Sequence, residues 1–162
     1  PSQVFNQQDH KAQFVSCLVT TTTDLVQHIW PNSANADPLP LDKFIEEVLR
    51  RSRMSYSTLQ TALYYIADDE DNHPHPQQKR PHQKQLPSPL LCGRRMFLTA
   101  LILATKYLQD KTYSLKAWSK MSGLRIAEIV ALERLFLQTV QWNLHIPATK
   151  FRCFTSSILK YT

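Results

Sequence analysis

Apolar residues recur at helical spacing along most of the chain, and nowhere do they alternate convincingly with strand period. In "FVSCLVTTTTDLVQHIW", Phe14, Leu18, Leu25 and Ile29 can share one stripe, although the run Thr20 to Thr23 lowers helix propensity. Pro31 is expected to end this helix, and the polar residues 1–10 before it predict a loose end. "PNSANADPLP" reads as a linker. "LDKFIEEVLRRSR" then sets Phe44, Ile45, Val48 and Leu49 on one face, with Asp42 or a neighbour placed to cap it. Glu46 to Arg50 and Glu47 to Arg51 are each spaced for weak i,i+4 support. "STLQ", starting at Ser57, has the form of a capping box, and Leu59, Ala62, Leu63 and Ile66 follow at i, i+3, i+4 and i+7.

That helix runs into "ADDEDNHPHPQQKRPHQKQLPSP", rich in Pro, His and Gln and nearly free of apolar groups, which predicts a flexible insertion. From Leu90 to Gln109 runs the most hydrophobic helix. Met96, Phe97, Leu98 and Ala100 to Ala104 cover nearly its whole circumference, so it is expected to lie in the middle of the others. "SLKAWSKMS" predicts a short helix with Ser114 as N-cap and Gly123 as its stop. "IAEIVALERLFLQTVQWNL" predicts a long helix closed by Pro147, and "TKFRCFTSSILKY" a last amphipathic one. The pattern predicts an all-α protein: about five core helices around one apolar hub, plus a helix at each end.

Composition agrees with a packed core, with 43% hydrophobic and 20% charged residues in 162. Two glycines, Gly93 and Gly123, argue against glycine-rich phosphate loops, a nucleophile elbow and turn-rich β folds. The net charge of +6 permits nucleic acid, acidic protein or anionic lipid as partner and selects none of them. Cys17, Cys92 and Cys153 show no CxxC pair, which suits a reducing compartment, nucleus or cytoplasm. No apolar run reaches the roughly 18 residues of a membrane span.

Candidate chemistry is sparse. His73, His75 and His82 lie in the insertion and His10, His28 and His145 are scattered, without metal-ligand spacing, so neither metal nor cofactor is expected. The acidic block Asp68 to Asp71 lacks the EF-hand pattern and reads as a solvated helix end. No activated nucleophile is suggested, and the chain is not expected to be an enzyme. Arg50, Arg51 and Arg53 close one helix, where the dipole favours cations, whereas Arg94 and Arg95 open the central helix, where it does not. That second pair could face an acidic partner, although solvated charge is the simpler account of both clusters. Two charges inside apolar helices remain, Lys106 and Glu133. If their helices pack together they can pair. Otherwise Lys106 reaches water near its helix end and Glu133 faces outward, which is the account that periodicity alone favours.

"TALILATKYLQDKTYSLKAWSKMSGL" followed by "EIVALERLFLQTVQWNLHIP" resembles the central part of a cyclin box, whose Lys and Glu fall on Lys106 and Glu133. More narrowly, "LPLDKFIEEVLRRSRMSYSTLQTALYYI" and the upstream "LVTTTTDLVQHIWP" resemble the fungal PCL/PHO cyclins, partners of a nutrient-responsive cyclin-dependent kinase. The resemblance implies a five-helix box over 38–146, with helices near 41–53, 57–69, 90–109, 114–121 and 125–143 and a flexible insertion at 70–89. An N-terminal extension over 1–37 and a C-terminal helix over 147–162 flank it. It also implies a heterodimer with the kinase, in cell-cycle or nutrient signalling, in which the cyclin holds the mobile kinase C-helix in its active orientation and helps direct the kinase to protein substrates. Lys106 and Glu133 would form the polar centre of the kinase-binding face, with Leu103, Tyr107, Leu137, Trp142 and Leu144 as apolar surround. Arg50, Arg51, Arg94 and Arg95 would be possible contacts for acidic substrates.

The chain departs from cell-cycle cyclins in two places. Their Met-Arg-x-Ile-Leu-x-x-Trp docking motif is replaced by "DKFIEEVL", so docking of Arg-x-Leu substrates is not implied. Their Tyr-Ile-Asp-Arg-Phe reads "YIADDED", which puts their salt bridge between first and second helices in doubt. The main alternative is a cyclin-like module of a transcription factor that binds basal machinery or nucleic acid, and a lesser one is a generic helical adaptor.

Overall fold

The computed structural model describes the backbone of residues 2–31, 39–72 and 92–160, and side chains over 8–31, 39–68 and 92–160. The described residues form helices and no strand: α1 (Ser2–Ile29), α2 (Leu41–Ser52), α3 (Tyr56–Asn72), α4 (Gly93–Leu108), α5 (Leu115–Ser122), α6 (Ile126–Thr139) and α7 (Ala148–Leu159). Most of the expected linker and insertion, including His73, His75 and His82, lies outside the described residues.

The central position of α4 follows from its sequence. Every residue from Met96 to Thr105 is buried, and α4 packs against α1, α2, α3 and α6. Its polar members satisfy themselves. Thr99 Oγ1 donates to the Arg95 carbonyl at 2.6 Å, and Thr105 Oγ1 to the Leu101 carbonyl at 2.7 Å, so neither needs water.

Around this hub, the stripe Leu59, Ala62, Leu63 and Ile66 of α3 is buried as its spacing predicts. Ser114 caps α5 by accepting from the Ala117 N–H at 3.1 Å, and Gly123 ends it with φ 76°. The completely buried Trp118 makes α5 a wedge between α2 and α6. Tyr113 meets the Trp118 ring edge-on at 5.6 Å and donates its hydroxyl to the Ser52 carbonyl at 3.0 Å.

Several expectations are corrected. Helix α1 begins at Ser2, so residues 2–10 are helical rather than loose. Of the expected stripe, Leu18, Leu25 and Ile29 pack partly buried against the core while Phe14 is exposed, and the most buried positions are Val19, Thr22, Thr23 and Val26 beside them. The Thr23 hydroxyl donates to the Val19 carbonyl at 2.7 Å, which leaves its methyl for the core. Asp42 does not cap α2: Pro40 is the N-cap, with no side-chain bond. Ser57 lies inside α3, and Ser55 accepts from the Thr58 N–H at 3.3 Å in its place. Glu47 holds both Arg50 and Arg51 at 2.6 Å, whereas Glu46 pairs with Lys43 at 3.0 Å instead of Arg50. Helix α6 stops at Thr139, well short of Pro147, which instead starts α7.

Burial of the hub decides the cost of trimming it. Leu101→Ala is expected to destabilise by about 2–5 kcal/mol, whereas Leu108→Ala, on the exposed last turn, stays within about 0.5 kcal/mol. Urea unfolding of the two variants checks this.

Candidate functional site

Helix α4 leaves the core over its last turn, where Lys106, Tyr107 and Leu108 are exposed. At this point α6 crosses it, burying Ile129, Leu132 and Phe136. Glu133, next to Leu132 on the flank of this seam, meets Lys106 with Nζ to Oε1 at 2.6 Å. The Lys106 side chain is 43% exposed and that of Glu133 only 13%. The outward-facing Glu133 that periodicity favours is therefore corrected, and the cross-helix pair forms. An ammonium carries three donors, and Glu133 takes one of them. The pair contributes little to stability, because one end is solvated and the other is costly to desolvate.

Beyond α6 the chain turns back sharply. The Trp142 N–H donates to the Leu137 carbonyl at 2.8 Å and the Gln141 N–H to the Gln138 carbonyl at 3.2 Å, the nested bonds of a Schellman motif. That motif usually places glycine where Gln141 stands at φ 54°, and Trp142 follows at φ 60°. Two successive side-chain-bearing residues thus take left-handed conformations, a strained arrangement. The result holds the Trp142 ring 67% exposed. The next turn is fastened from α3: the Tyr65 hydroxyl donates to the Leu144 carbonyl at 2.7 Å. Burial, and then nearby Tyr107, push the Tyr65 phenol well above its ordinary range.

The structure brings Lys106 and Glu133 together, with Tyr107 exposed beside Lys106 and Trp142 exposed beyond the end of α6. Leu137 and Leu144 are partly buried and pack on the core. Leu103 is a correction: at 4% exposed it belongs to the hub and supports the face from beneath. Arg94 is also corrected. It is 5% exposed, sits 5.6 Å over the Phe44 ring and donates to the Leu39 carbonyl, so it fastens the start of α2 to α4 instead of meeting a substrate. Arg95 pairs with Glu128 of α6 at 2.5 Å. That hydrogen bond, with a second to Cys92, raises its pKa further, so it stays charged. Both line a cleft of about 390 Å³ with Gly123, Arg125 and Glu128. Arg50 and Arg51 are exposed but shared by Glu47, whose carboxyl they hold below its usual range.

Sequence reasoning missed Tyr65 and the left-handed pair. Tyr65 stands between the stripe positions Leu63 and Ile66, so its polar tip was the available signal; nothing local announces left-handed Gln141. Among the described residues no group of His, Cys, Asp or Glu could hold a metal ion, and no helix is long and apolar enough to cross a membrane.

A single buried helix wrapped by others, with a Lys–Glu pair where it emerges, is the architecture of a cyclin box. The cyclin family model matches residues 4–144, and the chain belongs to that family. The match takes in α1 and ends before α7. The chain is 40% identical to the G1/S-specific cyclin pas1 of Schizosaccharomyces pombe, over 80% of this chain and 31% of that protein. It is 34% identical to PHO85 cyclin-5 of Saccharomyces cerevisiae, over 72% of this chain and 49% of that one. PHO85 cyclin-2 of the same yeast is 26% identical, over 96% and 49%. The matches span 31% to 49% of these relatives, and the two PHO85 cyclins among them agree with the fungal PCL kind that the sequence resembles.

Two outcomes follow from the turn after α6. Gln141→Gly relieves the left-handed strain and is expected to add on the order of 0.5–1 kcal/mol, read as a higher urea midpoint at unchanged slope. Tyr65 has a raised folded-state pKa, so its contribution is complete below the ordinary value near 10 and is lost as pH rises beyond it. Tyr65→Phe is expected to cost about 1 kcal/mol at pH 7 and to flatten the fall in stability above pH 10, which denaturant titrations at several pH values measure.

Proposed function

We propose that the protein is a regulatory subunit that binds and activates a cyclin-dependent kinase, does no chemistry itself, and helps direct the kinase to protein substrates. Family membership supports the class of partner, and the names of two relatives, PHO85 cyclin-5 and PHO85 cyclin-2, support a PHO85-type kinase. The observation that carries the assignment of the face is the Lys106–Glu133 pair, set at the rim of the core with Tyr107 exposed next to Lys106 and Trp142 exposed past the end of α6. A few polar groups within an apolar patch are the expected make-up of a protein interface. Spare donors on Lys106 suit backbone carbonyls at the end of a kinase helix. An activator of this kind adds no catalytic group. It binds better to the kinase conformation in which the internal Lys–Glu pair over ATP is closed, and so shifts the equilibrium towards it.

A protein partner is favoured over nucleic acid because the two arginine pairs that could seed a basic patch, Arg50 with Arg51 and Arg94 with Arg95, are held by groups of the chain itself. Glu47 holds Arg50 and Arg51, Glu128 holds Arg95, and Arg94 is buried. The three cysteines are free, in keeping with a place inside the cell, in the nucleus or the cytoplasm.

The purified chain is expected to form a stoichiometric complex with a PHO85-type kinase and to raise its activity. Lys106→Ala with Glu133→Ala is expected to weaken that complex at least tenfold (about 1.4 kcal/mol) while the protein stays folded. Lys106→Ala alone is expected to be the less stable variant, since it leaves a largely buried carboxylate unpaired. Gel filtration, kinase assay and thermal unfolding check these. Full activation by the double variant would sink the assignment of the face, and salt-sensitive DNA binding without kinase binding would sink the function.

A further inference from the structure

Basic side chains gather where the end of α2 lies against α5. Between Asp110 and Glu128 the sequence carries Lys111, Lys116, Lys120 and Arg125 and no acidic residue. Lys116 and Lys120 are exposed and stand at i and i+4, so they share the outer side of α5, opposite the buried Trp118. Lys120 sits in the last turn, where the helix dipole favours a cation, but Lys116 sits in the first, where it does not. Two bonds hold α2 alongside. The Arg51 guanidinium donates to the Lys120 carbonyl at 3.4 Å, and the Tyr113 hydroxyl donates to the Ser52 carbonyl at 3.0 Å. They bring Arg51 to the end of α5 and the Ser52–Arg53 corner to the residues before its start. Arg53 is exposed there, in the left-handed conformation that ends α2, with φ 49°.

Among the described residues Arg53, Lys116 and Lys120 enter no ion pair, and Glu47 answers Arg50 and Arg51 with a single carboxylate. Like charges one helical turn apart repel, so the arrangement favours an anionic surface laid across it. The corner at Arg53 also abuts α4, where Thr105 Oγ1 donates to Met54 Sδ at 3.4 Å. The basic strip therefore starts beside the turn that carries Lys106 and leads away from it along α5, towards the cleft that Gly123 shares with Arg94. Lysines act as point charges, and the Arg50 and Arg51 guanidiniums already lean on Glu47. The strip thus suits several carboxylates spread along an extended segment better than one phosphate, which calls for a free bidentate arginine. We infer that Arg53, Lys116 and Lys120 dock an Asp- and Glu-rich segment of a protein substrate and so hold that substrate next to the kinase. This deepens the substrate-directing function proposed above and rests on it.

The test uses the full chain in complex with a PHO85-type kinase, and a peptide substrate that carries either a tail of Asp and Glu or an equally long tail of Gly and Ser. The acidic tail is expected to lower KM about fivefold, and the gain to shrink as salt rises. Lys116→Glu with Lys120→Glu is expected to abolish the gain while the Gly and Ser substrate is turned over as by wild type. The melting temperature is expected to hold, because the acid gained in the first turn of α5 offsets the one gained in the last. If charge reversal disturbs folding, Lys116→Gln with Lys120→Gln makes the same comparison, with the gain reduced about twofold. An undiminished gain in the reversed variant overturns the docking surface, and so does the absence of a gain with wild type. A gain from a phosphoserine tail and none from the acidic one overturns the choice of carboxylates. A single-stranded oligonucleotide that wild type binds and the variant does not, without a gain from the acidic tail, overturns it in favour of nucleic acid. Loss of the kinase complex in the variant moves the strip into the kinase contact and likewise overturns it. Fluorescence anisotropy of the labelled acidic peptide with the chain alone separates this proposal from the function beneath it. Binding that the variant loses, with no kinase activation by wild type, supports the acidic docking surface and sinks the activating function.

Discussion

Burial of α4 on every side is the constraint from which the rest of the structure follows. A helix enclosed from Met96 to Thr105 must satisfy its own polar groups, and Thr99 and Thr105 do so by donating to carbonyls one turn back. It can carry charge only where it enters and leaves the core. Its arginines lie at one end and its lysine at the other. Each is met by a group from the surrounding elements: Arg94 by the Leu39 carbonyl and the Phe44 ring, Arg95 by Glu128, Lys106 by Glu133. Two of these contacts bridge α4 and α6, on opposite flanks of the seam formed by Ile129, Leu132 and Phe136. The crossing of the two helices is fixed by an apolar seam between two ion pairs, which limits rotation of α6 about its own axis.

The two flanks differ in what they leave exposed. On the Arg95 side, the cations are engaged within a cleft shared with the end of α5 and the start of α2. On the Lys106 side, the ion pair opens to solvent at the lysine, next to exposed Tyr107. The Lys106–Glu133 pair is exposed at its cation and shielded at its carboxylate, 43% against 13%, whereas Arg95 and Glu128 are more evenly covered, at 33% and 27%.

Much of the fold was legible because helical stripes are a direct consequence of burial. The α3 stripe, the all-round burial of α4 and the Ser114 and Gly123 boundaries of α5 could be read from residue types alone. Where the sequence misled, a polar group had found a local partner. Thr23 looks unsuited to a core, yet it faces it and satisfies its hydroxyl on its own helix. Arg94 looks like surface charge, but a carbonyl and an aromatic face make its burial tolerable. The partnership of Lys106 and Glu133 could be suspected from their placement, but not decided, because a stripe does not reveal how two helices cross. Leu103, which the resemblance implies as part of the apolar surround, lies one turn before Lys106 and is still inside the hub. Left-handed Gln141 was beyond reach, since the signal for that conformation is a glycine, and position 141 carries none.

The corner made by Gln141 and Trp142 has a kinetic consequence. Its two nested hydrogen bonds and the Tyr65 anchor fix the backbone beneath the indole while the ring is still in water. A molecule that covers this ring need not first immobilise the segment that carries it, so less conformational entropy is lost on association. Such preorganisation acts mainly on residence time: complexes formed on a rigid corner dissociate more slowly than those formed on a loop that must be ordered anew at each encounter.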